Sequence, residues 1–314
     1  MLLTEAESHF FTDPRYSIAS KTITCKVHVA KGLLTAAVTA VLKRKKLKRI
    51  GFESAWMRYE DYAKVKEELP LGVSFKPVAR LVEDLRMVKS KAEIELIRSS
   101  VQANSEAYAR TMKRIRPGAR EQDIAAELEY QMRILGAEKP AFETIVASGA
   151  RSALPHAQPT ARRLEESELL LIDMGASLNG YSSDMTRVAY SGVPPRRIRE
   201  VYKAVLEAQL AAVNAVHAGT TASKVDGTAR GVLKQHELER EFVHSTGHGL
   251  GLEIHERPRI GRKDKTRLRA GMVITIEPGV YIDGLGGVRI EDTVLVTENG
   301  CEVLTPTSKE FLNL

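Results

Sequence analysis

A chain of 314 residues with 43% hydrophobic and 28% charged residues can bury a substantial core, which excludes intrinsic disorder and favours one large domain beside a smaller one. No apolar run approaches the roughly 20 residues that span a bilayer, and the stretch from Met1 to Glu7 carries acids where a signal peptide would carry bases. The formal charge of +7 is uneven, since residues 1–84 hold 15 Lys+Arg against 10 Asp+Glu, but its densest run, Lys43 to Arg49, lacks aromatic residues and reads as cations at a helix C-terminus rather than a nucleic-acid face.

In chain order, residues 1–82 read as a small α/β domain. A strand around Phe10-Phe11-Thr12 ends in a turn at Asp13-Pro14. A helix follows over Lys31 to Lys46, then a strand over Arg49 to Phe52, a helix over Met57 to Leu69 and a strand over Val73 to Phe75. A second domain over residues 83–314 opens with one long helix from Glu83 to Ile115, stopped by Arg116-Pro117-Gly118. Further helices are expected over Glu121–Leu135, Arg196–Val216 and Ala222–Gln235. Strands are expected over Thr144–Ala147, Glu168–Met174, Met185–Tyr190, Met272–Ile276 and Val288–Val296. Short connections between strands predict a largely antiparallel sheet in an α+β domain, not a doubly wound one. Cys25 and Cys301 stand too far apart for a metal knuckle and fit packed thiols of a cytoplasmic protein.

Acidic residues sit where strands end. Asp173 closes the apolar run Leu169-Leu170-Leu171-Ile172, and the turn that follows, Asn179-Gly180, favours a two-residue type I′ hairpin. That turn sets Asp173 opposite Thr186 and puts Asp184 on the same face, diagonal pairs being about 7–8 Å apart. One such Asp is commonly a surface residue; two on one face repel unless a cation separates them. His244, His248 and His255 cluster in a glycine-rich stretch where core packing is the plain alternative to ligation. Glu277 ends another apolar strand before Pro278-Gly279. By alternation Arg289 and Glu291 share a face, so Glu291 is a ligand candidate with Arg289 as its neighbour; a buried ion pair explains either Glu equally well. Four carboxylates and one imidazole would balance two divalent cations and suit Mn²⁺, Fe²⁺, Co²⁺ or Zn²⁺ better than a structural thiolate site would.

The order Ile172-Asp173-Met174-Gly175, Ser183-Asp184-Met185-Thr186-Arg187, Thr246-Gly247-His248-Gly249, Ile276-Glu277-Pro278-Gly279 and Arg289-Ile290-Glu291-Asp292 resembles the pita-bread (creatinase/aminopeptidase-like) metallopeptidases. These include proline dipeptidases (prolidases), aminopeptidase P and methionine aminopeptidases. Val88-Lys89-Ser90-Lys91-Ala92-Glu93-Ile94 also resembles the opening of the prolidase catalytic domain. The resemblance implies a pita-bread catalytic domain with a curved sheet and a dinuclear centre held by Asp173, Asp184, His248, Glu277 and Glu291, manganese being the first expectation. It implies that Glu277 also shuttles the proton, that His156 contacts substrate and that His255 stabilises the carbonyl oxygen. Arg259 is implied to bind the substrate carboxylate, while His244 is expected to act from behind the ligands or to be structural.

The expected reaction is hydrolysis of Xaa-Pro dipeptides by a metal-bridging hydroxide. Aminopeptidase P action on longer peptides is the alternative, and a non-catalytic pita-bread binding module a weaker one. The expected partner is a small peptide, with no nucleic acid and no membrane, in a homodimer. The N-terminal domain is shorter than in most prolidases, and its Phe11-Thr12-Asp13-Pro14-Arg15-Tyr16 motif normally lies well inside that domain, so the start is expected to be truncated.

Overall fold

Short alternating strands and amphipathic helices build residues 1–82 as expected of an α/β unit. The computed structural model describes all residues from Met1 to Leu314, and the chain divides into two compact units, Met1–Val82 and Glu83–Leu314. The first holds β1 (Leu2–Leu3), β2 (Ser8–Thr12), β3 (Lys26–Val29), α1 (Leu34–Arg44), β4 (Arg49–Glu53), α2 (Tyr59–Glu68) and β5 (Ser74–Val78). β1 runs antiparallel to β2 and β2 parallel to β3, while β4 and β5 form a separate parallel pair. Lys43 and Arg44 occupy the last turn of α1, where cations oppose the negative end of the helix dipole.

After α3 (Leu81–Arg86) come α4 (Lys91–Met112) and α5 (Glu121–Ile134). The single helix expected from Glu83 to Ile115 is therefore two. The break is a capping box: Ser90 is extended, its Oγ accepts from the Glu93 amide at 3.3 Å, and Glu93 Oε2 accepts from the Ser90 amide at 2.8 Å. A serine with a glutamate three residues on satisfies two amides that a new helix leaves bare.

Next are β6 (Lys139–Pro140), β7 (Ile145–Ser148), β8 (Leu169–Met174), β9 (Ala176–Leu178), β10 (Tyr181–Ser182), β11 (Met185–Tyr190), α6 (Arg196–Asn214) and α7 (Ala222–Gln235). The chain ends with β12 (Gly247–Gly249), β13 (Glu256–Ile260), β14 (Val273–Ile276), β15 (Gly279–Ile282), β16 (Gly286–Arg289), β17 (Asp292–Val296), β18 (Cys301–Val303) and β19 (Leu312–Asn313). The ladders run β10-β9-β6, β19-β11-β8-β7, β13-β12-β14-β17-β18 and β15-β16. All their pairings are antiparallel except β11 with β19.

β8 explains why its sequence is continuously apolar. Leu169 and Leu171 pack into the core shared with α6 and α7, whereas Leu170, Ile172 and Met174 pack with Leu128 of α5 and its neighbours. A strand covered on both faces needs apolar residues at every position. The strand expected over Val288–Val296 is interrupted at Ile290-Glu291. β16 pairs with β15 and β17 with β14, so the chain changes ladder partners at that point. Pro278, between β14 and β15, marks the matching break on the partner side and accepts the Ile290 amide at 3.4 Å. Glu277 and Glu291 thus both stand at places where the chain leaves one ladder for another.

Candidate metal centre and active site

The Asn179-Gly180 turn has φ of 52° and 77°, both positive as a type I′ turn requires. The resulting register pairs Asp173 with Thr186, and Asp184 follows on the same face just before β11. Glu277 and Glu291 approach from the ladder breaks. His248 comes from β12, which lies so close to β14 that a Cβ on Gly247 would stand 1.9 Å from the Thr275 carbonyl oxygen. Only glycine permits that approach.

Asp184, His248 and Glu291 bring ligand atoms within 4.8 Å of one another. His248 Nε2 lies 3.5 Å from Asp184 Oδ2 and 3.5 Å from Glu277 Oε1. Its Nδ1 stands 3.0 Å from the Gly249 carbonyl, an acceptor that draws the ring proton to Nδ1 and leaves the Nε2 lone pair facing the carboxylates. Asp173 Oδ1 and Asp184 Oδ1 are buried with no hydrogen-bond donor. Burial, then the charges of Asp173 and Glu277, push the Asp184 pKa well above the usual carboxylate range. Burial and the neighbouring Asp184, Glu277 and Asp173 do the same for Glu291, and burial raises Glu277 against the pull of His248 and Arg289. Acceptors converge here with too few donors, and their anionic forms repel. A divalent cation supplies what the donor set lacks, so these residues fit one.

Around them sits a ring of donors. Arg289 donates to Asp173 Oδ2 at 2.6 Å and to Thr186 Oγ1 at 3.0 Å, and Thr186 donates to Glu291 Oε2 at 2.6 Å. Arg289 thus bonds Asp173 directly and is linked to Glu291 through Thr186, with its charge also acting on Glu291. Asp292 faces away, bonded by Arg187 at 2.7 Å and by Gln209 at 2.9 Å. Thr275 donates to Glu277 Oε1 at 3.3 Å and accepts the His248 amide at 3.1 Å.

Asp173, Asp184, His248, Glu277, Arg289 and Glu291 line a cleft of about 780 Å³ that also takes in His156, His244, His255 and Arg259. His156, His255 and Arg259 are solvent-exposed at its wall. His255 packs edge-on to the His248 ring at 4.4 Å between centroids; burial and the adjacent His248 hold its pKa below the ordinary value. Arg259 lies opposite His248 in the β12–β13 register, and only its amide is engaged, by Asp264. Tyr281 was not singled out from the sequence. Its hydroxyl accepts from Arg289 at 2.6 Å and lies 2.9 Å from His244 Nε2. Tyr281 stands two residues after Gly279 on β15, but alternation along one strand does not name the partners that meet its hydroxyl.

Residues 95–298 match metallopeptidase family M24, and residues 1–88 match the creatinase/prolidase N-terminal domain. The chain belongs to metallopeptidase family M24. It is 51% identical over 238 residues to the Xaa-Pro dipeptidase of Pyrococcus furiosus, covering 76% of this chain and 68% of that one. Its structure matches the Xaa-Pro dipeptidase of Bacillus anthracis with a TM-score of 0.96 at 38% identity, over 99% of this chain and 88% of that one. It also matches the X-Pro aminopeptidase of Thermotoga maritima with a TM-score of 0.92 at 36% identity, over 99% and 89%. As an M24 metallopeptidase it has the pita-bread fold and works with divalent metal ions. No helix is long and apolar enough to cross a membrane.

Proposed function

We propose that this M24 peptidase hydrolyses the Xaa-Pro bond of dipeptides, with Asp173, Asp184, His248, Glu277 and Glu291 holding two divalent ions, Mn²⁺ before Co²⁺, Zn²⁺ or Fe²⁺. The observation that carries the reading is the convergence in one cleft of the His248 Nε2 with buried carboxylates, two of which have an oxygen without a donor. When bound, such ions polarise the scissile carbonyl and acidify water. Glu277, between His248 and Thr275, is placed to take a proton from the attacking water and return it to the proline nitrogen as the C–N bond breaks. His255, whose pKa burial and the adjacent His248 hold below the ordinary value, donates a ring N–H to the developing oxyanion. His156 contacts substrate near the scissile bond, and Arg259 offers a free guanidinium fork to the proline carboxylate. Arg289 holds Asp173 in place, and His244 supports it through Tyr281. The reading includes a homodimer in the cytoplasm.

A second reading, Xaa-Pro aminopeptidase action on longer peptides, draws on one feature. The cleft continues past Arg257 and Arg259 into a further cavity of about 830 Å³, enough for residues beyond proline. The test strips the purified protein with a chelator, restores single metals, and compares an Xaa-Pro dipeptide, an Xaa-Pro-Xaa tripeptide and a Met-Ala peptide. Metal-dependent cleavage of the dipeptide alone is expected. Preference for the tripeptide establishes the second reading, and metal-independent turnover defeats both.

A further inference from the structure

His255 has no hydrogen bond of its own. Its ring touches His248, and the loop carrying it, between β12 and β13, has few backbone bonds, one of them from the Gly251 amide to the Glu253 carbonyl at 3.0 Å. A hydrogen-bond donor that must meet a developing charge loses much of its effect when displaced by about an ångström. Something else must therefore hold this ring.

The next residue does. Glu256 is buried, its side chain 5% exposed, and it faces Lys89, whose side chain is 2% exposed and which donates to Oε2 at 2.9 Å. Arg86 donates to Oε1 through Nε at 3.1 Å and also through Nη2, and its Nη1 reaches Glu253 at 3.3 Å. The Glu253 amide donates to the same Oε1 at 3.2 Å. One carboxylate thus ties both flanks of His255 to the junction between α3 and α4. That junction is itself fixed, because the Lys89 amide donates to the Gly271 carbonyl at 2.9 Å and Val88 bridges to Met272 just before β14. Space for the pair comes from Gly251, where a Cβ would meet Lys89 Cε and Glu256 Oε2 at 2.9 Å. A salt bridge this buried contributes little net stability against apolar residues of similar volume, so stability is a poor account of it.

We infer that Arg86, Lys89 and Glu256 are positioning residues that aim His255 at the reacting carbonyl. The inference rests on the oxyanion role proposed for His255. Glu256→Gln keeps the side-chain shape and weakens the grip of Lys89 and Arg86. It should lower kcat on an Xaa-Pro dipeptide about tenfold or more, with KM and metal content unchanged. His255→Ala alone should lower kcat about 10²–10³-fold. The deciding measurement is the double variant. If Glu256 acts through His255, Glu256→Gln costs nothing further once His255 is alanine. Multiplying losses overturn the positioning role, as does an unchanged kcat in Glu256→Gln. An unchanged kcat in His255→Ala instead overturns the role given to His255. Arg86→Gln, at the more exposed edge of the cluster, carries the same cycle if Glu256→Gln does not fold.

Discussion

Arg289 donates to Tyr281 Oη at 2.6 Å, and both side chains are buried. His244 Nδ1 stands 2.8 Å from the Ser245 carbonyl, so it carries the ring proton and leaves Nε2 to accept from Tyr281. The hydroxyl accepts on one side and donates on the other, and the guanidinium beyond it is aimed at Asp173. Asp173 is thereby held by a chain of three side chains from β15, β16 and the loop before β12.

Removing that hydroxyl should be costly. Tyr281→Phe leaves His244 Nε2 bare and strips Arg289 Nη1 of its shorter bond, its other acceptor being the Pro155 carbonyl at 3.3 Å. Leaving buried polar groups unpaired costs about 1–3 kcal/mol, which should appear as a fall of several degrees in melting temperature. An unchanged melting temperature removes the hydroxyl from this role.

Metal-free protein should be strained where the carboxylates meet. Asp184 is buried, has one oxygen without a donor, and sits near Asp173 and Glu277. Asp184→Asn removes a charge from that crowd. Without metal the variant should melt higher than metal-free wild type at pH 7.5, while losing activity and most of the metal-induced rise that ligand linkage supplies. A lower melting point for the metal-free variant contradicts this.

Burial lowers the His244 pKa from 6.5 to about 4. The folded protein then binds fewer protons than the unfolded chain between those values, so His244 contributes stability that is complete above pH 6.5 and lost as pH falls towards 4. Denaturant unfolding of wild type and His244→Gln at several pH values checks it. Within that window the wild-type slope should be steeper by about 1.4 kcal/mol per pH unit. Parallel slopes place the titration elsewhere.

Arg259 makes no side-chain bond that a substrate would have to displace. Arg259→Ala should raise KM for an Xaa-Pro dipeptide at least tenfold, the loss expected when a charged hydrogen bond of about 1.5–3 kcal/mol disappears. An amide-capped Xaa-Pro substrate should change little. Equal losses on both would remove the carboxylate role and favour action on longer peptides.

Some of this was legible in the chain because it is local. Asn179-Gly180 sets the hairpin register, and the register pairs Asp173 with Thr186. The break in the helix at Ser90 was also legible, since Ser90 and Glu93 form a capping box, but helical spacing on either side hid it. Tyr281 drew no notice because one tyrosine in an apolar strand has no signature until its partners are known.

By itself the sequence determined the elements whose hydrogen bonds close within a few residues, and the order in which chemically suited side chains appear at strand ends. Which of those side chains meet was decided only in three dimensions. Arg289 bonds to Asp173, 116 residues away, and Lys89 to Glu256, 167 residues away. Such pairs depend on where ladders exchange partners and on how closely β12 and β14 approach. Backbone periodicity carries no information across those breaks, because each new ladder resets which face a side chain takes.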